Sequence, residues 1–544
     1  MFIKSVKLEN FKCFSDLNID FSVPNWNEWS WLNIFVWENN SWKSSLIEAI
    51  HFIRNKSTRD IKKIWVNDEW NDFYVEQEFL WNIEDVVDNF IQENKKQSFK
   101  DCIYENDGFT YFKVKREFKT DNDVKKILFN NSWTYSNVSW IDWVFQKFFQ
   151  ISNIWADTSP ESESKFWSST ICWNLLSEIS DKFKTNNQDY DNFLVEFNRM
   201  FNDDSSWLQL DLNQLANDTQ AVLNEQFGNA SLKFKFNNPE PNILFKNIKI
   251  LVNDWEETDI SEKWHWLQRA VILSLLQVYA KRVTQVENED GSINVKPHFL
   301  FIDEPEMWLH PQAQKKLFDA LKVLSKNHQI FISTHSENFI SLDTIENIYK
   351  FQKDWDNVLV KNIKDFDINI RENRNFFFHH HKLFFTKKAI FVEWVDDIDN
   401  YPIFSEENWY SDLKSHFYFM WSCSAHHKFK WLCDYFWIKP FFILDIDVIS
   451  KNSQAKWWFP QNIKNKILEL DIDCTKKNPS NLLDENLSTE KKLLKNNIIS
   501  LLKNENYFVL SKWAYEQYFT WTWEISDSDK ISELKSFLDI IKTN

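Results

Sequence analysis

Glycine is almost missing: the 544 residues hold 3, against 30 tryptophans. An ordinary chain is about 7% glycine. A fold with so few would have to make its tight turns from residues that carry a Cβ, which resists those conformations. Also lacking is any run of about 18 uncharged apolar residues, which excludes a membrane-spanning helix. The opening MFIKSVKLENF alternates like a strand and not like a secretory leader. Six cysteines, Cys13, Cys102, Cys172, Cys423, Cys433 and Cys474, form no C-x-x-C pair and no zinc spacing with histidine. They are expected to be reduced thiols of a cytoplasmic protein. The formal charge of −17 excludes a generally basic nucleic-acid coat. It leaves room for a local basic groove and fits a share of metal-binding carboxylates.

What stands in glycine's place is tryptophan. The 3 glycines and 30 tryptophans together come to about 6% of the chain, close to the usual glycine share. Trp70 in NDEWND, Trp255 in VNDWEE and Trp355 in QKDWDN keep the Asp and Asn company of a turn glycine. The glycines that remain, Gly108, Gly228 and Gly291, sit in the same company. An indole gains nothing there, whereas a residue free to adopt positive φ does. We read most of these tryptophans as glycine positions decoded as Trp, as happens when UGA is translated with the wrong table. Abundant Lys, Asn, Ile and Phe fit an AT-rich genome in which such reassignment occurs.

The sharpest case is IFVWENNSWKSSLIEAI, Ile34 to Ile50. It is a phosphate loop, G-x-x-x-x-G-K-[ST], with Trp37 and Trp42 at the glycine positions. The nucleotide-cradling set is then Trp37, Asn39, Asn40, Ser41, Trp42, Lys43, Ser44 and Ser45, with Lys43 reaching the β/γ oxygens of ATP and Ser44 meeting Mg²⁺. Downstream, FLFIDEPEMWLHP ends an apolar strand in Asp303 and Glu304. Asp303 is suited to the Mg²⁺ shell, and Glu304 to polarising the attacking water. FISTHSENF puts His335 at the end of the next strand, where it can sense a γ-phosphate.

The chain alternates strands and helices, which predicts an α/β plan of two domains. Strands are expected at the N-terminus, near Phe73–Phe79, at Phe109–Val114, Leu232–Phe236 and Ile248–Val252, then at HFLFID and QIFIST; helices over Lys43–Ile53, Leu267–Arg282 and from Gln312. From about 145 to 229 the pattern turns helical and polar, as in an inserted arm. We place a first domain at 1–365, a junction at 366–384 and a second domain at 385–544.

The second domain carries carboxylates at strand ends. AIFVEWVDD places Glu393 at the end of an apolar strand, next to Trp394, with Asp397 four residues on. FFILDIDVIS ends another with Asp445 and Asp447, expected as an alternate pair facing one way. Such acids are costly to gather unless Mg²⁺ or Mn²⁺ neutralises them, and phosphodiester cleavage uses such a site. Two histidine clusters are weaker signals: His379–His381 reads mainly as packing at the junction, and His426 and His427 as a loop or a phosphate contact.

These motifs together resemble the ABC-type ATPase class shared by RecF-like and SMC-like proteins. VKLENFKCFSDLNIDF is similar to their opening strand pair, and DEPEMWLHP, with Trp308 at a glycine-compatible position, to their Walker B and D-loop. SEKWHWLQRA, Ser261 to Ala270, resembles the signature of the OLD (overcoming lysogenisation defect) nuclease family once Trp264 and Trp266 are glycine. That resemblance implies an ABC-type P-loop ATPase domain followed by a Toprim domain, with Trp264, Trp266 and Gln268 of one subunit closing on ATP held by another in a homodimer or higher homo-oligomer. It further implies Glu393, Asp397, Asp445, Asp447 and Glu516 as metal ligands, with Lys512 stabilising the transition-state phosphate. The implied activity is ATP-dependent DNA cleavage in phage defence or DNA repair, with DNA as partner and a helicase or defence-system protein beside it. The other reading is a DNA-clamping ATPase whose Toprim domain does not cut.

Overall fold

The computed structural model describes residues 1–22, 31–37, 42–54, 72–81, 83–106, 108–118, 124–129, 135–136, 148–154, 188–227, 233–236, 249–264, parts of 267–295, 297–307, 309–326, 328–354, 357–365, 380–393, 395–420, 422–474, 479–511 and 528–543. It divides into two compact units. The first comprises residues 1–12, 18–33 and 43–334, the second 13–17, 34–42 and 335–544.

In the first unit the opening strand Phe2–Phe11 pairs antiparallel with Phe73–Leu80, which pairs with Phe109–Phe118 and through it with Val124–Phe129. Val6, Leu8, Phe79, Phe112 and Val114 are fully buried on the covered face, and polar residues alternate with them, as an antiparallel sheet with one wet face requires. The strand His298–Asp303 lies between Gln150–Ile154 and Gln329–Thr334 and is parallel to both. All residues of HFLFID and QIFIST are buried, the mark of parallel strands covered on two faces. Gln329 ties this layer to the opening strand. Its side chain accepts from the Ile3 N–H at 2.7 Å and donates to the Ile3 carbonyl at 2.9 Å.

Two stretches differ from expectation. The segment from 145 to 229 is helical at Gln188–Phe201 and Trp207–Phe227, but it also contains the strand Gln150–Ile154. That strand is short and holds Ser152 and Asn153, so it lacks an apolar signature. Its burial becomes affordable through His298, whose Nε2 lies 2.9 Å from the Ser152 hydroxyl. The strand expected at Leu232–Phe236 is irregular over its described residues 233–236, and the one at Ile248–Val252 shrinks to Leu251–Asn253, paired with Glu257–Asp259.

In the second unit Ile348–Asp354 runs parallel to Ile34–Trp37 and antiparallel to Asn357–Asn362. A separate sheet has four parallel strands in the spatial order Phe417–Phe419, Lys388–Val392, Lys439–Leu444, Tyr507–Val509. In chain order these are second, first, third and fourth, so the winding reverses between Lys388–Val392 and Lys439–Leu444. Open α/β sheets bind ligands at the carboxyl ends beside such a reversal. Ile390, Val392, Phe441, Ile443 and Phe508 pack beneath Tyr401, Phe404, Leu534 and Leu538, which come from the helices Val395–Glu407 and Ser528–Thr543.

Tryptophan recurs where the backbone is left-handed. Trp81 has φ 73°, Trp409 71° and Trp437 55°, beside Gly108 at 77°. Trp409 follows the helix Val395–Glu407: the Trp409 N–H donates to the Glu406 carbonyl at 3.4 Å, and the Tyr410 N–H to the Ser405 carbonyl at 2.7 Å. Trp437 follows the helix His426–Tyr435 in the same way, bonding to Asp434 at 3.4 Å while Ile438 bonds to Cys433 at 2.8 Å. Both are Schellman caps with tryptophan at C′, a position glycine ordinarily takes.

Candidate functional site

On the nucleotide side, the strand Leu32–Trp37 ends and the helix Trp42–Arg54 begins on either side of the phosphate-loop sequence. Asn39, Asn40 and Ser41 lie outside the described residues, as do the side chains of Trp37, Trp42, Lys43 and Ser44; Ser45 is buried. Asp303 closes its strand in register with Ser333, and its carboxylate accepts the Ser333 hydroxyl. Glu304 turns to φ 47° while its N–H donates to the Ser333 carbonyl at 2.8 Å. A left-handed non-glycine residue costs on the order of 1–3 kcal/mol. Here the bend turns the chain away from the strand direction just after Asp303. The Glu306 carboxylate accepts the Thr334 hydroxyl at 2.9 Å. Ser333 and Thr334 thus brace the acidic strand end, a role their place inside an apolar strand gave no reason to expect. His335 is exposed at the end of Gln329–Thr334, and Trp308 lies outside the described residues.

In the stretch Ser261–Ala270, Asp259 caps the turn by accepting the Ser261 N–H at 2.9 Å, which holds its carboxyl below the usual range. Gln268 faces inward: its amide donates to the carbonyls of Lys263 at 2.7 Å and Ser261 at 3.2 Å. It braces the loop backbone, and Trp264 stands 75% exposed at the loop's head. His265 and Trp266 lie outside the described residues.

In the second unit, Glu393 follows the strand Lys388–Val392 and is buried, and Asp397 is buried in the first turn of the next helix. The expected alternation of Asp445 and Asp447 along a strand does not hold. The strand stops at Leu444, Asp445 precedes the 3₁₀ turn Ile446–Ile449, and Asp447 lies within that turn. Asp445 is half-buried and Asp447 exposed as residues. Partial desolvation of its carboxyl still raises Asp447 above the usual range. Glu393 and Asp447 meet a third group, Cys423, which follows the strand Phe417–Phe419. One ligand atom from each lies within 4.8 Å of the other two. Burial, then Glu393, Asp447 and Asp445, push the Cys423 thiol up. Three adjacent strands deliver the three groups; neither the strand before Cys423 nor Cys423 as a ligand was expected from the sequence. Lys512 and Glu516 lie outside the described residues.

The histidines divide. His426 is a core residue, donating from Nε2 to the Ala455 carbonyl at 3.2 Å and accepting the Tyr507 hydroxyl at 2.9 Å. Burial pushes it down to about 4. That fixes its tautomer and turns it away from a phosphate role. His427 donates to the Ser424 carbonyl at 2.9 Å. His380 packs on Phe429 and Phe419, as expected of the junction, and His381 lies 3.6 Å from Glu337.

Comparison with known proteins places residues 1–340 on the family model for the AAA ATPase domain. The Old nuclease of Escherichia phage P2 is 25% identical over 341 residues, 59% of this chain and 56% of that protein. The OLD nuclease of Thermus scotoductus is 26% identical over 182 residues, 31% of this chain and 32% of that protein. The chain therefore spans about half the length of the first of these relatives and a third of the second. A crystallised SMC head bound to the C-winged helix domain of ScpA is 15% identical, covering 67% of this chain and 99% of that one at a TM-score of 0.39, a likeness too distant to build on. No helix among the described residues is long and apolar enough to cross a membrane.

Proposed function

The chain belongs to the AAA ATPase domain family, and from that footing we propose that it is an ATP-dependent, divalent-metal-requiring DNA endonuclease in which residues 385–544 form a Toprim-type nuclease domain. One observation carries most of the proposal: Glu393, Cys423 and Asp447 offer ligand atoms within 4.8 Å of one another beside the reversal of a parallel sheet. The likeness to two nucleases agrees with it.

In the first unit, Lys43 and the N–H groups opening the helix Trp42–Arg54 hold the phosphates of ATP. Ser44 and Asp303 are the groups suited to Mg²⁺, and Glu304 orients the attacking water; by the sequence motif, His335 of the second unit is assigned to the γ-phosphate. The loop headed by Trp264 and Trp266, braced from within by Gln268, meets the ATP of a second copy, which makes the working form a homodimer or higher homo-oligomer. In the second unit the carboxylates of Glu393 and Asp447 fit Mg²⁺ or Mn²⁺, with Asp397 and Asp445 nearby in sequence and Lys512 and Glu516 completing the set. A divalent ion held there supplies Lewis acidity and a bound water of lowered pKa. ATP binding orders the dimer and gates access of DNA, in phage defence or DNA repair alongside a helicase or defence-system partner.

We propose as well that Trp37, Trp42, Trp264, Trp266, Trp308 and Trp394 are glycine in the working protein. The left-handed backbone at Trp81, Trp409 and Trp437 supports this independently of any motif.

The test is made with glycine at those six positions. Plasmid cutting should require Mg²⁺ or Mn²⁺, stop with EDTA, and fall by roughly 100-fold or more in Glu393→Ala and Asp447→Ala, while ATP hydrolysis persists in both. Intact ATPase activity with no cutting of any DNA under any metal would leave the DNA-clamping ATPase in its place.

A further inference from the structure

We propose that Cys423 is a sulfur ligand of the divalent ion in the second unit, so that the site prefers ions such as Co²⁺, Zn²⁺ and Mn²⁺ to Mg²⁺. This deepens the metal-site reading above and rests on it, adding a donor that carboxylate motifs do not contain.

The geometry is that of a three-donor face. Glu393 follows the strand Lys388–Val392, Cys423 follows Phe417–Phe419, and Asp447 lies in the turn after Lys439–Leu444. The three strands are neighbours and parallel, so their carboxyl ends open on one side. Ligand oxygens and sulfur around a single ion sit at about 2.0–2.3 Å from it. Donors within 4.8 Å of one another need only small side-chain rotations to reach such an arrangement. Cys423 is also held in place: it opens the 3₁₀ turn Cys423–Ala425, whose preceding residue Ser422 accepts the Ser424 N–H.

The bland alternative is a cysteine that merely fills space. Cys433 is such a residue, fully buried in the helix His426–Tyr435. Cys423 differs in facing two carboxylates that belong to separate loops. Without a cation Cys423 stays a neutral thiol, since burial and the carboxylates beside it disfavour a thiolate. With one, the thiol gives its proton to solvent and the thiolate bonds the ion, so each ion bound releases one proton and affinity rises with pH. Mg²⁺ takes oxygen ligands and gains little from sulfur, whereas first-row transition ions accept it.

The experiment uses the full-length chain, in parallel with its Trp394→Gly form. Co²⁺ is titrated while the near-ultraviolet sulfur-to-cobalt charge-transfer band is followed. Alkylation of each cysteine by iodoacetamide is read by mass spectrometry, with the other cysteines as internal controls. Expected are a saturable band in either form, and protection of Cys423 by Co²⁺ or Mn²⁺ at concentrations where Mg²⁺ protects poorly. Cys423→Ser should lose the band, weaken Co²⁺ binding at least tenfold and leave Mg²⁺ binding within about twofold. Persistence of the band in Cys423→Ser, or no ion protecting Cys423, overturns the proposal. Glu393→Gln separates the two layers of reasoning. If it weakens Co²⁺ and Mg²⁺ binding together while Cys423→Ser changes neither, the metal site stands and only the sulfur ligand falls. If ion binding ignores Glu393 and Asp447 as well, the site reading falls with it.

Discussion

Replacing Trp409 by glycine should stabilise the protein by about 1 kcal/mol. At φ 71° a residue carrying a Cβ pays roughly 1–2 kcal/mol for the left-handed conformation. Glycine avoids that but gives up roughly 0.5–1 kcal/mol more backbone freedom on folding, which leaves the net gain. The indole is 87% exposed, so removing it uncovers little apolar surface elsewhere. The same change at Trp437, φ 55°, should gain less. The Lys361 ammonium lies 5.4 Å over that ring, and losing such a contact costs about 0.5–1 kcal/mol. Urea unfolding followed by circular dichroism reads the shift as a higher midpoint at unchanged slope. Two controls fix the cause. Trp409→Ala keeps the Cβ and should move the midpoint little. Trp431→Gly, inside the helix His426–Tyr435, should destabilise by about 1 kcal/mol. A lower midpoint for Trp409→Gly, or an equal rise for Trp409→Ala, would refute the argument from backbone conformation and weaken the glycine reading of the other tryptophans.

Lys43→Ala should abolish nucleotide binding, whereas Glu304→Gln should keep it and slow hydrolysis by roughly 100-fold or more, the scale of a lost general base. Phosphate release at the parental rate in Glu304→Gln removes that residue from the role. The pair Trp37→Gly and Trp42→Gly should raise ATP affinity at least tenfold by equilibrium titration, because successive N–H groups can line a phosphate only if the loop reaches conformations closed to an indole-bearing residue; unchanged affinity would count against it. His426 is held at about 4 against an ordinary 6.5, so between those values the unfolded chain takes up a proton that the native state refuses. Stability should therefore fall as pH drops from 6.5 towards 4. Denaturation midpoints at pH 5 and 7.5 should lie closer together in His426→Asn than in the parent, whatever its absolute stability; an unchanged gap would show that other groups set the slope.

How legible the fold was depended on which faces a segment buries. HFLFID, QIFIST, AIFV and FFIL were readable as strands because burial on both sides leaves an unbroken apolar run. Gln150–Ile154 was not, since Ser152 and Asn153 interrupt any apolar run, and the partner of Ser152, His298, lies far along the chain. Asp303, Glu304, Glu393 and Asp397 could be found because each ends or closely follows an apolar run. Cys423 could not, because its relation to Glu393 and Asp447 is a property of strand order, and strand order is not written in any one segment. The alternation expected of Asp445 and Asp447 failed for a related reason: a spacing of two means one face only while the strand continues, and this strand ends at Leu444.

The reversed winding of the second sheet also sets a timetable. Glu393, Cys423 and Asp447 reach one place only after the chain has laid down three parallel strands with a crossover between each. The middle strand of the three is made first and waits for a neighbour on either side. A growing chain that has emerged only as far as residue 438 carries Glu393 and Cys423 but lacks the strand that brings Asp447. Its phosphate-loop sequence, by contrast, was complete hundreds of residues earlier. During synthesis the phosphate-loop sequence therefore precedes the assembled three-group cluster, and an unfinished copy lacks the proposed metal site.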